Sequence, residues 1–414
     1  MSTIAAGSQR ANQDSWVIGL VSTAHFSSHA LQLALPPLFP ILHEVFGVSF
    51  TELGLLSTLF YSASSLGQAL SGILVDRYGA ARLLICGLAA LSIATGLAGL
   101  VPSYWMLLPL AVLGGLGNSV FHPADLSILS HRVSQRRLGR GFAAHVFLGQ
   151  VGFMIAPMIV TLLAAYGNWR LPLIVLSLGG LAVAAVVYVR REVLTYDRPA
   201  EELRRGVRPS RLSPYLGIIG SPVVFMAFSY FVVTAIGGTG LQTFLITTLV
   251  SGYGIETRAA TLSLTAFFVG GAIGSILGGM LADRTQMHHL VAMGGLLAMS
   301  VLMLPLIAFN PNAVAITVLM TTAGAVTGMV APSRDVLVRR AAAGSGVGSV
   351  FGFVYSGMDL GSSLAPTLFG ILVDRGAMHS VFVAIAISYA LAVPTVMQVR
   401  RRLVGTVTAT SQGD

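Results

Sequence analysis

Lysine is absent from the 414-residue sequence, cysteine occurs once, and charged residues of all kinds make up only 9%. The single Cys86 excludes an intramolecular disulfide, and its place in an apolar run gives it the reading of a small core residue. So little charge, beside 55% hydrophobic residues and a mean hydropathy of +0.82, excludes a soluble protein of this length. No short apolar run is followed by a small-residue cleavage site, so no cleavable signal peptide is expected. The net charge of +9 does not make the chain a nucleic-acid binder. Its 24 basic residues are all arginines, and they fall in short gaps between apolar segments, which is the pattern of membrane topology.

What the sequence has is a succession of apolar segments of about 20 residues, the length a bilayer-spanning helix needs. Twelve spans are expected, at roughly 16–41, 52–75, 82–101, 105–129, 141–165, 170–189, 221–249, 257–281, 288–309, 312–338, 345–372 and 378–399. With a cytoplasmic N-terminus, only Arg170, Arg258 and Arg375 fall on the outer side, and Arg334 lies within the tenth span. That bias orients the chain with both termini inside. The expected organisation is a cytoplasmic tail at 1–15, a six-helix bundle at 16–189, an arginine-rich linker at 190–214, a second bundle at 215–399 and a tail at 400–414. Both tails are expected to fray.

The two halves repeat. The stretch Gly72-Ile73-Leu74-Val75-Asp76-Arg77-Tyr78-Gly79-Ala80-Ala81-Arg82 is a charged turn between apolar runs, with Gly79 as the residue free to turn. A weaker copy, Gly279 to Arg284, carries Asp283 and Arg284, and Asp76 and Asp283 are 207 positions apart. Gly47 matches Gly254 at the same offset. Further on the offset is 209, which pairs Pro123 with Pro332, Gly139 with Gly348 and Ala156-Pro157 with Ala365-Pro366. Small residues four apart, Ala63-x3-Gly67-x3-Ser71 and Gly270-x3-Gly274-x3-Gly278, let helices approach closely in lipid. Six-span repeats in the same orientation imply two bundles rocking about a shared site.

On these residues the chain resembles the major facilitator superfamily over essentially its full length. Gly72, Asp76, Arg77 and Gly79 fit the family's loop between helices two and three, Gly-x-x-x-Asp-Arg-x-Gly, and Arg82 keeps one of its basic positions. His25-Phe26, Pro36-Pro37-Leu38 and Phe121-His122-Pro123-Ala124-Asp125 are similar to the fosmidomycin-resistance-like group. The resemblance implies an all-α integral membrane protein of twelve helices, with helices one, four, seven and ten lining a cavity, and export of small molecules against protons. It makes the Gly72–Arg82 turn, with Asp283 and Arg284, a conformational switch. Two departures stand against it: Val112 sits where drug exporters carry an arginine before Gly115-Leu116-Gly117, and Gly149, Gly152 and Ala156-Pro157 match their fifth-helix pattern only in part.

Ionisable side chains are costly in hydrocarbon, so each one in a span is a candidate for function, against the plainer reading of a structural hydrogen bond. His25 and His29 share a face of the first helix, and His25 is about 14 Å beyond Trp16, near the bilayer middle. Gln32 extends that stripe. No Asp or Glu occurs between Asp14 and Glu44, so these histidines are the first helix's titratable groups. His122 and Asp125 share a face of the fourth helix, where their contact would form a proton-accepting pair, and Pro123 is expected to bend that helix. Asp359 is the remaining proton candidate, with Gln150 as its repeat counterpart. Tyr230, Thr234, Thr239 and Gln242 on the seventh helix are candidates for the substrate cavity, in a helix interrupted by Gly237, Gly238 and Gly240. Arg334 and Asp335 read as gate or structural residues, and His145 as an interfacial one.

The expectation is a secondary transporter of a small organic molecule by alternating access, coupled to protons and working as a monomer in a bacterial cytoplasmic membrane. It needs no cofactor. No third ligand in sequence completes the His25-x3-His29 pair, so no metal site is expected and metal-ion transport is the weaker alternative. Import or exchange of an organic anion is the other. It is disfavoured because no arginine occurs between Arg10 and Arg77 or between Arg211 and Arg258. A membrane enzyme is disfavoured by the lack of any nucleophile–base pattern or phosphate-binding loop.

Overall fold

A computed structural model describes residues 2–196, 221–341 and 347–410, with side chains described except at 2–11, 69, 72, 73, 76, 135, 339–341, 347–352 and 402–410. The chain divides into two compact units at Pro199 and Ala200. The expected linker therefore lies outside the described residues from 197 onward, and the side chains of Gly72 and Asp76 lie outside them too.

Every regular element among the described residues is a helix. The first unit holds α1 (Ser2–Gln32), α2 (Phe39–Phe46), α3 (Phe50–Tyr78), α4 (Ala80–Ala98), α5 (Leu107–Asn118), α6 (Phe121–Arg132), α7 (Gln135–Ala165), α8 (Arg170–Val189) and the short α9 (Arg191–Leu194). The second holds α10 (Pro222–Tyr253), α11 (Thr257–Arg284), α12 (His288–Leu302), α13 (Leu304–Ala308), α14 (Ala313–Ala341), α15 (Val347–Asp374) and α16 (Met378–Thr410). Nine helical runs among the described residues are long and apolar enough to cross a bilayer, α5 with α6 and α12 with α13 each counting as one. With α1, α3 and α15 they make the twelve-helix architecture, six to a unit. α1 is less apolar because Ser22, His25, Ser27 and Ser28 are buried against protein rather than lipid.

Proline and glycine set the breaks. α1 stops at Gln32, short of the expected 41, because Pro36-Pro37 cannot extend it and instead opens a 3-10 turn. The fourth span is split between Asn118 and Phe121. Pro123 lacks the N–H that would bond the Ser119 carbonyl, so the expected bend is a break one turn upstream. α3 ends and α4 begins at Gly79, whose φ of 89° is open to glycine and strained for other residues.

Four expectations are corrected. The stretch 1–15 is helical from Ser2, and Asp14 within it is buried and accepts from the Ser134 hydroxyl (2.6 Å) and backbone N–H (3.2 Å) at the start of α7. The C-terminal stretch is helical to Thr410. The seventh span is the unbroken α10: Gly237 and Gly240 serve close approach, a Cβ on Gly240 falling 2.4 Å from the Phe369 ring. Cys86 is exposed, on the outer face of α4.

Candidate functional site

The first unit packs α7 against α1 along a stripe of small residues. A Cβ on Gly152 would lie 2.4 Å from the Phe26 carbonyl oxygen, and one on Gly149 would lie 2.7 Å from Cδ2 of His25 and 3.0 Å from Cε1 of His29. The absent side chains let the α7 backbone rest on the histidine face of α1. One turn before Gly149 on the same face of α7 stands His145, buried at 3% exposure. α6, freed by the break before Phe121, brings Asp125 in from a third side, fully buried.

The result is one carboxylate among imidazoles. His145 Nε2 and Asp125 Oδ2 are hydrogen-bonded at 2.9 Å. His25 Nδ1 is 3.1 Å from the same oxygen, within ion-pair distance but not aligned as a hydrogen bond. The His25 and His145 rings stack at 3.7 Å between centroids. His29 lies 4.3 Å from His25 and stacks on Phe153. His122, exposed, meets the His25 ring edge-on at 5.4 Å and is the cluster's accessible edge. Asp125 Oδ1, His145 Nδ1 and His29 Nδ1 are buried without a hydrogen-bond partner.

Asp125 and His122 still act on each other electrostatically, but the hydrogen bond of Asp125 goes to His145. A spacing of three puts both on one face of α6, but Asp125 turns to α1 and α7. His145 was misplaced by counting from the helix end. The signal that finds it is the spacing His145, Gly149, Gly152, Ala156, which puts the ring on the face that packs most tightly. Gln32 is further along α1, bonded to Tyr61 beside a cavity of about 50 Å³ lined also by Ser57, Phe60 and Thr95.

The second unit brings no comparable set together among its described residues. Thr234 gives its hydroxyl proton to the Tyr230 carbonyl (2.7 Å), and Thr239 meets Ser362 on α15 (2.9 Å). Gln242 is half-buried, as is Asp359 on α15. Tyr230 is buried and, with Arg334, lines a cavity of about 30 Å³. Arg334 Nε donates to Asp335 Oδ1 (2.9 Å), which also accepts from the Tyr355 hydroxyl (3.2 Å), and the guanidinium lies over the Phe231 ring at 4.8 Å. Of the switch residues, Arg77 is exposed and lies over the Tyr78 ring at 5.3 Å, and Arg82, Asp283 and Arg284 are exposed.

The family model described as Major Facilitator Superfamily matches residues 21–263 and 231–410. The chain belongs to the major facilitator superfamily. It is 24% identical over 392 residues to the fosmidomycin resistance protein of Escherichia coli K12, covering 91% of each chain. To a probable sulfoacetate transporter of Cupriavidus necator it is 24% identical over 397 residues, covering 89% of each. Among solved structures, it is similar in fold to a bacterial homologue of the human lysosomal transporter Spinster in an inward-facing, occupied conformation. The TM-score is 0.72 at 17% identity, over 94% of this chain and 97% of that one. The protein is a multi-pass membrane transporter of small molecules, a family whose members are not enzymes.

Proposed function

We propose that the protein is a proton-coupled exporter of a small organic molecule, and that the cluster of His25, His145 and Asp125, with His29 and His122 beside it, is where the proton is carried. The observation that carries this reading is the burial of a carboxylate against two imidazoles on a single oxygen. A buried charge in a membrane protein is expensive, so the favoured state holds one shared proton and is neutral overall. Removing that proton leaves a bare carboxylate, and adding a second leaves an excess imidazolium. Both need water, so a site reached alternately from the two sides of the membrane would load and unload a proton as its hydration changes. Exposed His122 is the group through which water would exchange protons with the interior of the cluster.

The relatives named for fosmidomycin resistance and sulfoacetate supply the first compounds to try. Cells expressing the chain are expected to accumulate less of the exported compound than cells expressing Asp125→Asn, and the difference should vanish when the proton gradient is collapsed. A difference that survives collapse of the gradient removes proton coupling. The arginine bias supports cytoplasmic termini, and the bacterial relatives support a bacterial inner membrane. With Cys86 replaced, cysteine at Ser103 should react with an impermeant thiol reagent in intact cells and cysteine at Arg136 only in opened ones; the reverse labelling inverts the topology.

A further inference from the structure

We infer that His25, His145 and Asp125 also form a binding site for one divalent transition-metal ion, with zinc as the reference ion. In sequence the first helix offers a histidine pair with no third ligand. Folding leaves His29 out of the set and supplies the missing donors from two other helices. One ring nitrogen each of His25 and His145 and a carboxylate oxygen of Asp125 all lie within 4.8 Å of one another, and all three residues are buried.

The manner of convergence argues for an ion. Asp125 has acceptor sites on both carboxylate oxygens and could divide the two imidazoles between them. Here both face Oδ2, at 2.9 and 3.1 Å, while Oδ1 has no partner. Three donor atoms from three helices thus stand close together, and an ion seated between them would take the place of the direct contacts. With zinc–ligand bonds of about 2.0–2.1 Å, its ligand atoms stand about 3.3–3.5 Å apart. The two nitrogen–oxygen pairs, at 3.1 and 2.9 Å, need to open by only a few tenths of an ångström. Two imidazoles and one carboxylate suit zinc, cobalt or nickel better than magnesium or calcium, and the fourth position is left to water. The carboxylate also offsets half of the ion's charge in a dry site. Because the ligand atoms must be deprotonated, metal and proton exclude each other here, with His29 and His122 as further titratable neighbours. A bound ion would block any proton that this cluster carries.

The test is binding, and it does not depend on transport. Purified full-length protein without a histidine tag is dialysed in detergent against zinc chloride at neutral pH, and the retained metal is measured by mass spectrometry. One zinc per chain is expected in the wild type and in His131→Ala, an exposed-site control, and none in His145→Ala or Asp125→Asn. Cobalt substitution in the wild type should give the intense visible absorption of a four-coordinate ion, a readout that needs no variant to fold. Wild-type protein that retains no more zinc than Asp125→Asn overturns the inference. So does cobalt bound with the weak spectrum of a six-coordinate ion, or a spectrum unchanged in a folded His145→Ala protein.

Discussion

The two units share a packing frame and differ in what it holds. In the first, Gly152 of α7 places its missing Cβ 2.4 Å from the Phe26 carbonyl of α1; in the second, Gly361 of α15 places its own 2.3 Å from the Val232 carbonyl of α10. The preceding residues are His25 and Phe231. The offset of 209 that pairs Pro123 with Pro332 also pairs Asp125 with Arg334 and His145 with Val354. An acid beside His25 thus becomes a guanidinium over Phe231, and a buried histidine becomes a fully buried valine. The duplicated element is the helix contact, and the titratable chemistry occupies one copy of it. A second, narrower contrast lies at the glycines Gly274 and Gly67, within helix contacts that are otherwise alike. α11 and α14 pack backbone on backbone, with Cβ positions on Gly274 and Gly324 falling 2.0 and 1.9 Å from carbonyl oxygens of the facing helix. In the first unit a Cβ on Gly115 of α5 likewise falls 2.2 Å from the Phe60 carbonyl of α3, but one on Gly67 of α3 meets side chains, Ser119 Oγ at 2.6 Å and Cβ at 2.7 Å with Leu116 beyond.

The largest effect is expected from making the first unit resemble the second. His145→Val should bring gradient-driven transport down to the level of empty vesicles while the purified protein keeps its helical circular dichroism. Gradient-driven transport close to wild type would place the coupling proton elsewhere, with Asp359 the next group to examine.

The packing contrast predicts the next largest effect. Gly274→Ala drives a methyl into a backbone carbonyl, which cannot rotate away, and should cost at least about 1–3 kcal/mol with a clear fall in Tm. Gly67→Ala meets the Ser119 side chain, whose hydroxyl can turn but whose Cβ cannot, and should cost less than Gly274→Ala. Equal shifts in thermal unfolding would erase the distinction drawn between these two glycine positions.

Gly149→Ala should act more locally. Its methyl presses on His25 and His29 rather than on backbone, so we expect a modest loss of stability but a marked loss of zinc retention and of coupling. The smallest effect is expected from Pro123→Ala. Restoring the N–H lets the Ser119 carbonyl be bonded, so stability should change by less than about 1 kcal/mol. Transport would fall only if the α5–α6 break is what aims Asp125.

Much of this was legible in the sequence for a physical reason. Hydrocarbon demands long apolar runs, and arginine marks the gaps, so twelve spans, the repeat and the family could be read directly. The Pro123 break and the turn at Gly79 followed from backbone chemistry. The partners of Asp125 did not, because helical spacing tells which residues share a face and is silent on what that face meets. His122 was the nearest histidine in sequence, whereas the partners in space are 100 and 20 residues away. His145 was hidden for a related reason: its neighbours Arg140 and Gly141 mark a helix end, and its depth shows only once Gly149 and Gly152 are taken as a packing stripe. The first helix was drawn too long because apolar residues continue past Pro36-Pro37, where composition and backbone geometry disagree and geometry decides.

The central claim is that the first unit carries the coupling proton and the second does not. Its most direct test compares Asp125→Asn with Arg334→Gln, two positions equivalent in the repeat, in proteoliposomes loaded with a compound found to be exported. Each variant is assayed for transport driven by a pH gradient and for exchange of labelled against unlabelled compound without one. The account predicts that Asp125→Asn retains exchange and loses all response to the gradient, and that Arg334→Gln responds to the gradient as the wild type does. Gradient-driven transport by Asp125→Asn, or its selective loss in Arg334→Gln, would contradict it.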